Sequence, residues 1–183
     1  MNADTVAVMP VTQPQANTLA EAAFCLAPAG TVRASVGLPA SIGNSGFDGR
    51  EFVMRAALLV TTGGAFTYAP SIRLYSGANT GATGFGGDTA IITPAALSIG
   101  TATRLIVIRA EIQWDPSGGT NARLNGRYTC NVDVTQNAWV TLTAGLTASV
   151  PNMSALQWCI TGFFSSTSGS NVATLKYFEL DLR

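Results

Sequence analysis

The chain has 183 residues, with ten basic and ten acidic side chains and no histidine. That length suits a single domain with a full core, which buries about 70% of its unfolded surface. The basic residues are scattered singly and form no stripe for a phosphate backbone, so no nucleic-acid partner is expected. No apolar run approaches the ~20 residues of a membrane span, and Met1–Val11 lacks the features of a Sec signal. Neither a membrane partner nor secretion by that route is expected.

The charged fraction of the chain is low. It is 11%, against roughly 25% in typical soluble domains. One interpretation is an uncharged but well-solvated surface. The other is a surface largely covered by neighbouring subunits, because charged residues are depleted at the cores of interfaces.

The first thirty residues differ from the rest, so we predict an N-terminal arm over 1–30 and a β domain over 31–183. Pro10 and Pro14 argue against a regular element through this stretch, whereas Asn17–Leu26 has the apolar spacing of one short helix. The helix could pack on its own domain, or the arm could lie across a neighbouring subunit. In the second case the arm's apolar side chains would form the interface, namely Val6, Val8, Val11, Leu19, Phe24 and Leu26.

From Thr31 onward the apolar residues recur with a period of two, which is typical of strands that bury one face. About eight strands are separated by turn-forming residues, and this predicts an all-β fold, a single antiparallel β-sandwich of the jelly-roll type. The predicted strands are Thr31–Leu38, Glu51–Thr61, Ser71–Tyr75, Ala90–Thr93, Arg104–Trp114, Ala122–Val134, Leu156–Phe164 and Val172–Leu182.

The alternation also assigns the two faces of each strand. It points Ile106, Ile108 and Ile112 into the core and Arg109 outward, and it places Val134 and Lys176 on the inward faces of their strands. Asn125-Gly126 lies within an alternating run, so it predicts either a hairpin turn or a bulge.

The sequence offers little for catalysis. Without histidine there is no Ser-His-Asp or Cys-His system and no His-containing zinc site. The glycine-rich stretch Gly81–Asp88 precedes a strand rather than a helix, so a flexible loop is expected there and not a phosphate site. The three cysteines are widely spaced and are expected to be buried thiols. We therefore expect no enzyme activity, cofactor or metal.

The aromatic residues leave a carbohydrate-binding hypothesis open, because jelly rolls are common lectin scaffolds. By parity Trp114 and Trp158 belong to the core. Trp139 lies near the edge of a strand and is the candidate exposed aromatic.

Four segments carry a resemblance to a known class of protein: FDGREFVMRAALLV at Phe47–Val60, SIRLYSG at Ser71–Gly77, RAEIQWDPSGGTNARLNGRY at Arg109–Tyr128 and ATLKYFELDL at Ala173–Leu182. In pattern and order they resemble virion proteins of tailed bacteriophages. The resemblance covers roughly three quarters of the chain, from about Phe47 to Arg183. Such proteins are β-sandwich or jelly-roll parts of the particle, namely head decoration (cement) proteins, head fibres or tail components.

The resemblance implies a non-enzymatic protein, made in the host cytoplasm and carried in the virion. It also implies a homotrimer seated on the capsid lattice. The leading hypothesis is a capsid decoration protein that docks on the major capsid protein and stabilises the shell. The second is a tail or baseplate component among other virion proteins. The rival from another class is a carbohydrate-binding module that contacts a host surface.

Overall fold

The computed structural model describes residues 4–8, 12, 14–26, 33–37, 51–76, 81–85, 88–115, 123–135, 137–145 and 156–183. These residues form two antiparallel sheets, so the predicted β-sandwich is confirmed. The part of the chain described here contains no helix long and apolar enough to cross a bilayer. The large sheet has seven strands, which are β1 (Asp4–Val8), β2 (Gln15–Ala16), β5 (Glu51–Thr61), β9 (Thr103–Asp115), β10 (Arg123–Val132), β11 (Val140–Gly145) and β13 (Val172–Leu182).

The small sheet has six strands, which are β3 (Ala22–Ala23), β4 (Val36–Gly37), β6 (Phe66–Ser76), β7 (Thr89–Ile92), β8 (Leu97–Gly100) and β12 (Leu156–Phe164). The strand order is β1-β13-β5-β9-β10-β11 in the large sheet and β3-β12-β6-β7 in the small one. The first strand pairs with the last, and β3 and β4 pair with the second-to-last strand. This wrapping of the two chain ends around each other is the arrangement of a jelly roll.

The core lies between the sheets and follows the predicted parity. In β9 Ile106, Ile108 and Ile112 are buried while Arg109 is exposed, as the alternation requires. Trp158 of β12 is fully buried, and its ring lies 6.4 Å from that of Phe52 in β5. Both sheets therefore contribute large side chains to one core.

The N-terminal segment is part of this roll. The helix predicted for Asn17–Leu26 is wrong, because Ala22–Ala23 is a strand and Leu26 forms a bridge with Thr12. Differences in helix propensity are below about 0.7 kcal/mol per residue, whereas burying Phe24 is worth about 1.5–3 kcal/mol. Packing therefore decides the conformation of this segment.

A buried hydrogen-bond chain ties the same segment to the core. The Tyr68 hydroxyl donates to Gln15 Oε1 at 2.9 Å, and Gln15 Nε2 donates to the carbonyl oxygen of Ala22 at 2.7 Å. Tyr68 also lies against Gly162, where any β-carbon would overlap the phenol ring. Buried polar groups are costly unless paired, so this chain fixes β2 and β3 on the domain.

Three local predictions are corrected by the structure. Asn125-Gly126 is neither turn nor bulge, since both residues pair in register with β9 and β11. Val134 is 94% exposed rather than inward, because β10 ends at Val132 and Asp133 turns the chain with φ of 50°. Lys176 is exposed because a bulge between Leu175 and Tyr177 interrupts the alternation of β13.

Candidate functional site

The outer face of the small sheet is covered by the chain itself. Arg33 forms an ion pair with Asp88 at 2.5 Å, and both side chains are almost fully buried. The guanidinium carbons of Arg33 and Arg73 lie 4.8 and 4.7 Å from the ring centroid of Phe85. The glycine-rich segment predicted to be a flexible loop is thus packed against the sheet at Phe85 and Asp88.

Glu21 strengthens this covering layer. Its carboxylate accepts hydrogen bonds from Arg73 at 2.7 and 2.6 Å and from the Thr161 hydroxyl. Burial alone would raise the pKa of Glu21, but the hydrogen bonds and the charge of Arg73 outweigh it and hold the pKa below its ordinary value. The N-terminal segment is therefore held on the small sheet by charge as well as by packing.

The outer face of the large sheet, in contrast, has an open cleft. It has a volume of about 410 Å³, within the ~300–1,000 Å³ of small-ligand sites. Most of its lining side chains can donate or accept hydrogen bonds. The lining residues are Glu51, Glu111, Gln113, Asn125, Gly126, Arg127 and Thr141.

Strand register brings these polar residues together. Arg127 of β10 lies opposite Glu111 of β9 on one side and Thr141 of β11 on the other. One row further along, Gln113 of β9 lies opposite Asn125 and also opposite Glu51 of β5. Because residues two apart in a strand share a face, the two rows form one polar surface across four strands.

Gly126 permits the close approach of β9 and β10 at the cleft. A β-carbon at this position would lie well inside van der Waals contact with the carbonyl oxygen of Glu111. Since the obstructing atom belongs to the backbone of β9, a side chain could fit only if the strands moved apart. The glycine is therefore required by strand pairing rather than by a turn.

The charged groups of the cleft are paired with one another. Arg127 donates from Nε to Glu111 Oε2 at 2.7 Å, and its Nη2 lies 2.6 Å from the same oxygen in an ion pair. Arg109 donates from Nη2 to Glu111 Oε1 at 3.2 Å. One carboxylate thus orients two guanidinium groups.

Trp139, the aromatic predicted to be exposed, lies beside the cleft immediately before β11. Its side chain is 41% exposed. The guanidinium carbon of Arg127 lies 4.6 Å from the ring centroid and that of Arg109 lies 6.0 Å from it, which is within the range of cation–π attraction. Arg127 therefore contacts both the indole and the cleft, and it holds the ring in place at the cleft's edge.

A smaller crevice of about 190 Å³ opens between the edges of the two sheets. Its lining is mainly apolar and includes Leu97, Tyr128, Cys130 and Val140. Burial raises the pKa of the Cys130 thiol to about 12 and, together with Cys130, raises that of Tyr128. These groups stay neutral, and the crevice offers few polar contacts.

The interface residues predicted for the arm occupy different environments. Phe24 is fully buried in the chain's own core, and Leu26 is half-buried against it, whereas Leu19 is 54% exposed. Val6 and Val8 belong to β1, whose backbone pairs with β13, and Val11 lies outside the described residues. Among the three whose side chains are described, Phe24 and Leu26 pack on the core and Leu19 does not.

Most of the cleft was not predicted from the sequence. Parity placed Arg109 on an outward face, which is where it lies, but parity does not show which polar side chains of other strands lie beside it. β11 was not predicted, so the sequence could not show that β10 lies between β9 and β11. Among the residues described by the structure, no group of three or more acidic, cysteine or histidine side chains could hold a metal ion.

No protein-family model matches the chain, and no curated protein matches it. Solved structures that are similar include the marine PL-14 alginate lyase from Aplysia kurodai, with 8% identity, a TM-score of 0.44, and coverage of 98% of this chain and 99% of that one. A carbohydrate esterase from the Shiga toxin-encoding bacteriophage phi24B has 9% identity, a TM-score of 0.36, and coverage of 98% and 99%. The CBM2 module of an evolved Dit protein from Lactobacillus casei BL23 phage J-1 has 9% identity, a TM-score of 0.36, and coverage of 94% and 75%.

Proposed function

We propose that this chain binds carbohydrate, without catalysis, on the outer face of the large sheet. The observation that carries the proposal is Trp139, a half-exposed indole held by Arg127 at the edge of a polar cleft. An exposed ring presents an apolar face on which the C–H side of a sugar can stack, while its edge stays in water. The adjoining cleft supplies the polar groups that fix orientation and specificity.

The cleft matches the hydrogen-bonding needs of a sugar ring. Each sugar hydroxyl can donate one hydrogen bond and accept others. The carboxylates of Glu51 and Glu111 accept, the amides of Gln113 and Asn125 do both, and Arg127 donates. Since these residues come from paired strands rather than loops, their spacing is fixed before a ligand arrives, which lowers the entropic cost of binding.

Binding without catalysis is supported by the state of the central carboxylate. Glu111 accepts hydrogen bonds from both Arg109 and Arg127. A general acid or base must be free to exchange a proton with the substrate, whereas this carboxylate serves to position two guanidinium groups. The proposed role of Glu111 is therefore to orient the binding surface.

A glycan array tests the proposal, with Trp139→Ala compared with Tyr177→Ala. Tyr177 is a matched control because it is an aromatic residue that is also 41% exposed, but it lies on β13, away from the cleft. We expect the wild type and Tyr177→Ala to bind the same glycans and Trp139→Ala to lose them. Equal binding by all three proteins, or binding by none, would reject the proposal.

A second candidate is a structural role in a phage particle, with capsid decoration as its specific form. It is favoured by the low charged fraction of 11% and by apolar side chains exposed on the sandwich, among them Val134 at 94% and Leu105 at 39%. A decoration protein should form a stable oligomer, a trimer in the leading hypothesis, and bind expanded capsids. Light scattering that shows a monomer at micromolar concentration, together with no capsid binding, would contradict it.

A further inference from the structure

The charge arrangement on the large sheet bears on which glycans fit. Six arginines have described ion pairs, and each is paired with a carboxylate of the same chain: Arg33, Arg55, Arg73, Arg104, Arg109 and Arg127. On the outer face of the large sheet, Arg55 contacts Glu179 at 2.9 Å and Asp181 at 3.1 Å. Each guanidinium group that the structure describes on this face thus has a carboxylate partner before any ligand binds, and Arg109 and Arg127 share theirs.

Among the cleft residues whose side chains the structure describes, positive charge does not exceed negative charge. Arg127 is the basic residue among its described lining, and Glu51 and Glu111 are the acidic ones. Counting Arg109, which shares Glu111 with Arg127, gives two positive and two negative side chains. A uronate or sulfate entering the cleft would meet these carboxylates, and it could pair with Arg127 only by competing with Glu111.

We infer that the cleft is specific for neutral, polyhydroxylated sugars and discriminates against acidic ones. This rests on the proposed function, and it adds the ligand's chemical class. A neutral sugar keeps the Arg127–Glu111 pair intact, because its hydroxyls can donate to the carboxylate and accept from the guanidinium at once. An acidic glycan must break that pair and bring a like charge beside Glu51, where like charges disfavour the complex.

The inference is tested by titrating the full chain with soluble glycans of both classes. The neutral probes are glucan, mannan and fully methyl-esterified homogalacturonan, and the acidic probes are alginate and unesterified homogalacturonan. The two homogalacturonans share one backbone and differ in charge, so they form a matched pair. We expect binding by at least one neutral probe, lost in Trp139→Ala, and at least tenfold weaker binding by acidic probes.

Salt dependence separates the two classes further. Dissociation constants for a neutral probe should change less than about twofold between roughly 50 and 500 mM salt, since no net charge is screened. An acidic ligand held by arginine would weaken steeply over the same range.

Variants that remove one cleft carboxylate test the charge argument directly. Glu111→Gln frees Arg127 and Arg109 from their shared partner, so binding of unesterified homogalacturonan should rise and neutral binding should fall. Glu51→Gln removes a charge without touching that ion pair, so it keeps the test valid if Glu111→Gln fails to fold. The expected result is again stronger acidic binding than in the wild type.

The outcomes distinguish failure of the inference from failure of the proposed function. Trp139-dependent binding of acidic probes by the wild type, weakening with salt, would overturn the neutral-ligand inference and leave carbohydrate binding in place. Binding by neither class, or binding unaffected by Trp139→Ala, would overturn both.

Discussion

Replacing Phe24 by alanine tests whether the N-terminal segment belongs to the chain's own core. The side chain is fully buried, and its backbone N–H donates to Ile160 of β12 at 3.2 Å. Leu19 is the matched control, because it lies in the same segment but is 54% exposed.

The expected magnitude follows from burial. Truncating a fully buried phenylalanine costs about 3–5 kcal/mol, partly from lost transfer energy and partly from the cavity. A domain of this kind has about 5–15 kcal/mol of stability in total, so Phe24→Ala should remove a large share of it. The melting temperature should fall by roughly 6–20 °C, whereas Leu19→Ala should change the stability by less than about 0.5 kcal/mol.

Urea unfolding followed by tryptophan fluorescence measures both variants, and deletion of Met1–Pro28 extends the test. The deletion removes β1, β2 and β3 together with Phe24, so the truncated chain should not unfold cooperatively. If Phe24→Ala were as mild as Leu19→Ala, and the truncated chain melted like the full one, the segment would act as a detachable arm and the account of the fold would be refuted.

Three further changes probe the sheets. Ile108→Ala should cost about 2–5 kcal/mol by cavity formation while Arg109→Ala on the opposite face costs far less in thermal unfolding; equal losses would mean that the register of β9 is wrong. Gly126→Ala should lower both the melting temperature and glycan binding, because the new methyl group meets the backbone of β9; unchanged values would show that the strands are not this close. Glu21→Gln should cost about 1.5–3 kcal/mol near neutral pH. Because the folded-state pKa of Glu21 is lowered, that stabilisation is present above the unfolded-state pKa and is lost as the pH falls through the folded-state pKa, so the difference should shrink in acid; a constant difference would contradict the ion-pair assignment.

The long strands could be predicted from sequence because each buries one face and therefore alternates. Leu156–Phe164 and Val172–Leu182 were predicted with the bounds that the structure shows. The predicted facing of side chains was wrong where a backbone irregularity shifts the alternation of the strand. Such an irregularity does not change the amino-acid composition, so it leaves no pattern to read. The two irregularities are the bulge beside Lys176 and the left-handed conformation of Asp133. Neither a lysine nor an aspartate predicts such a feature by itself.

The short N-terminal strands could not be predicted, because their conformation depends on partners far along the chain. Ala22 and Ala23 are good helix formers, yet they pair with Gly162 and Thr161 of β12. The candidate site could not be predicted for the same reason. Exposure of Trp139 was suggested by its position, but its neighbours Arg127 and Arg109 come from two other strands that only the sheet order brings together.

The central claim is that the outer face of the large sheet binds a neutral sugar at Trp139 and the adjoining cleft. The most direct measurement is an amide chemical-shift titration with the neutral oligosaccharide that binds best. The account predicts that the shifted amides cluster at Gln113, Asn125, Arg127 and Trp139, on adjacent strands of one face. Shifts confined to the apolar crevice around Tyr128, or to the covered face of the small sheet, would contradict it.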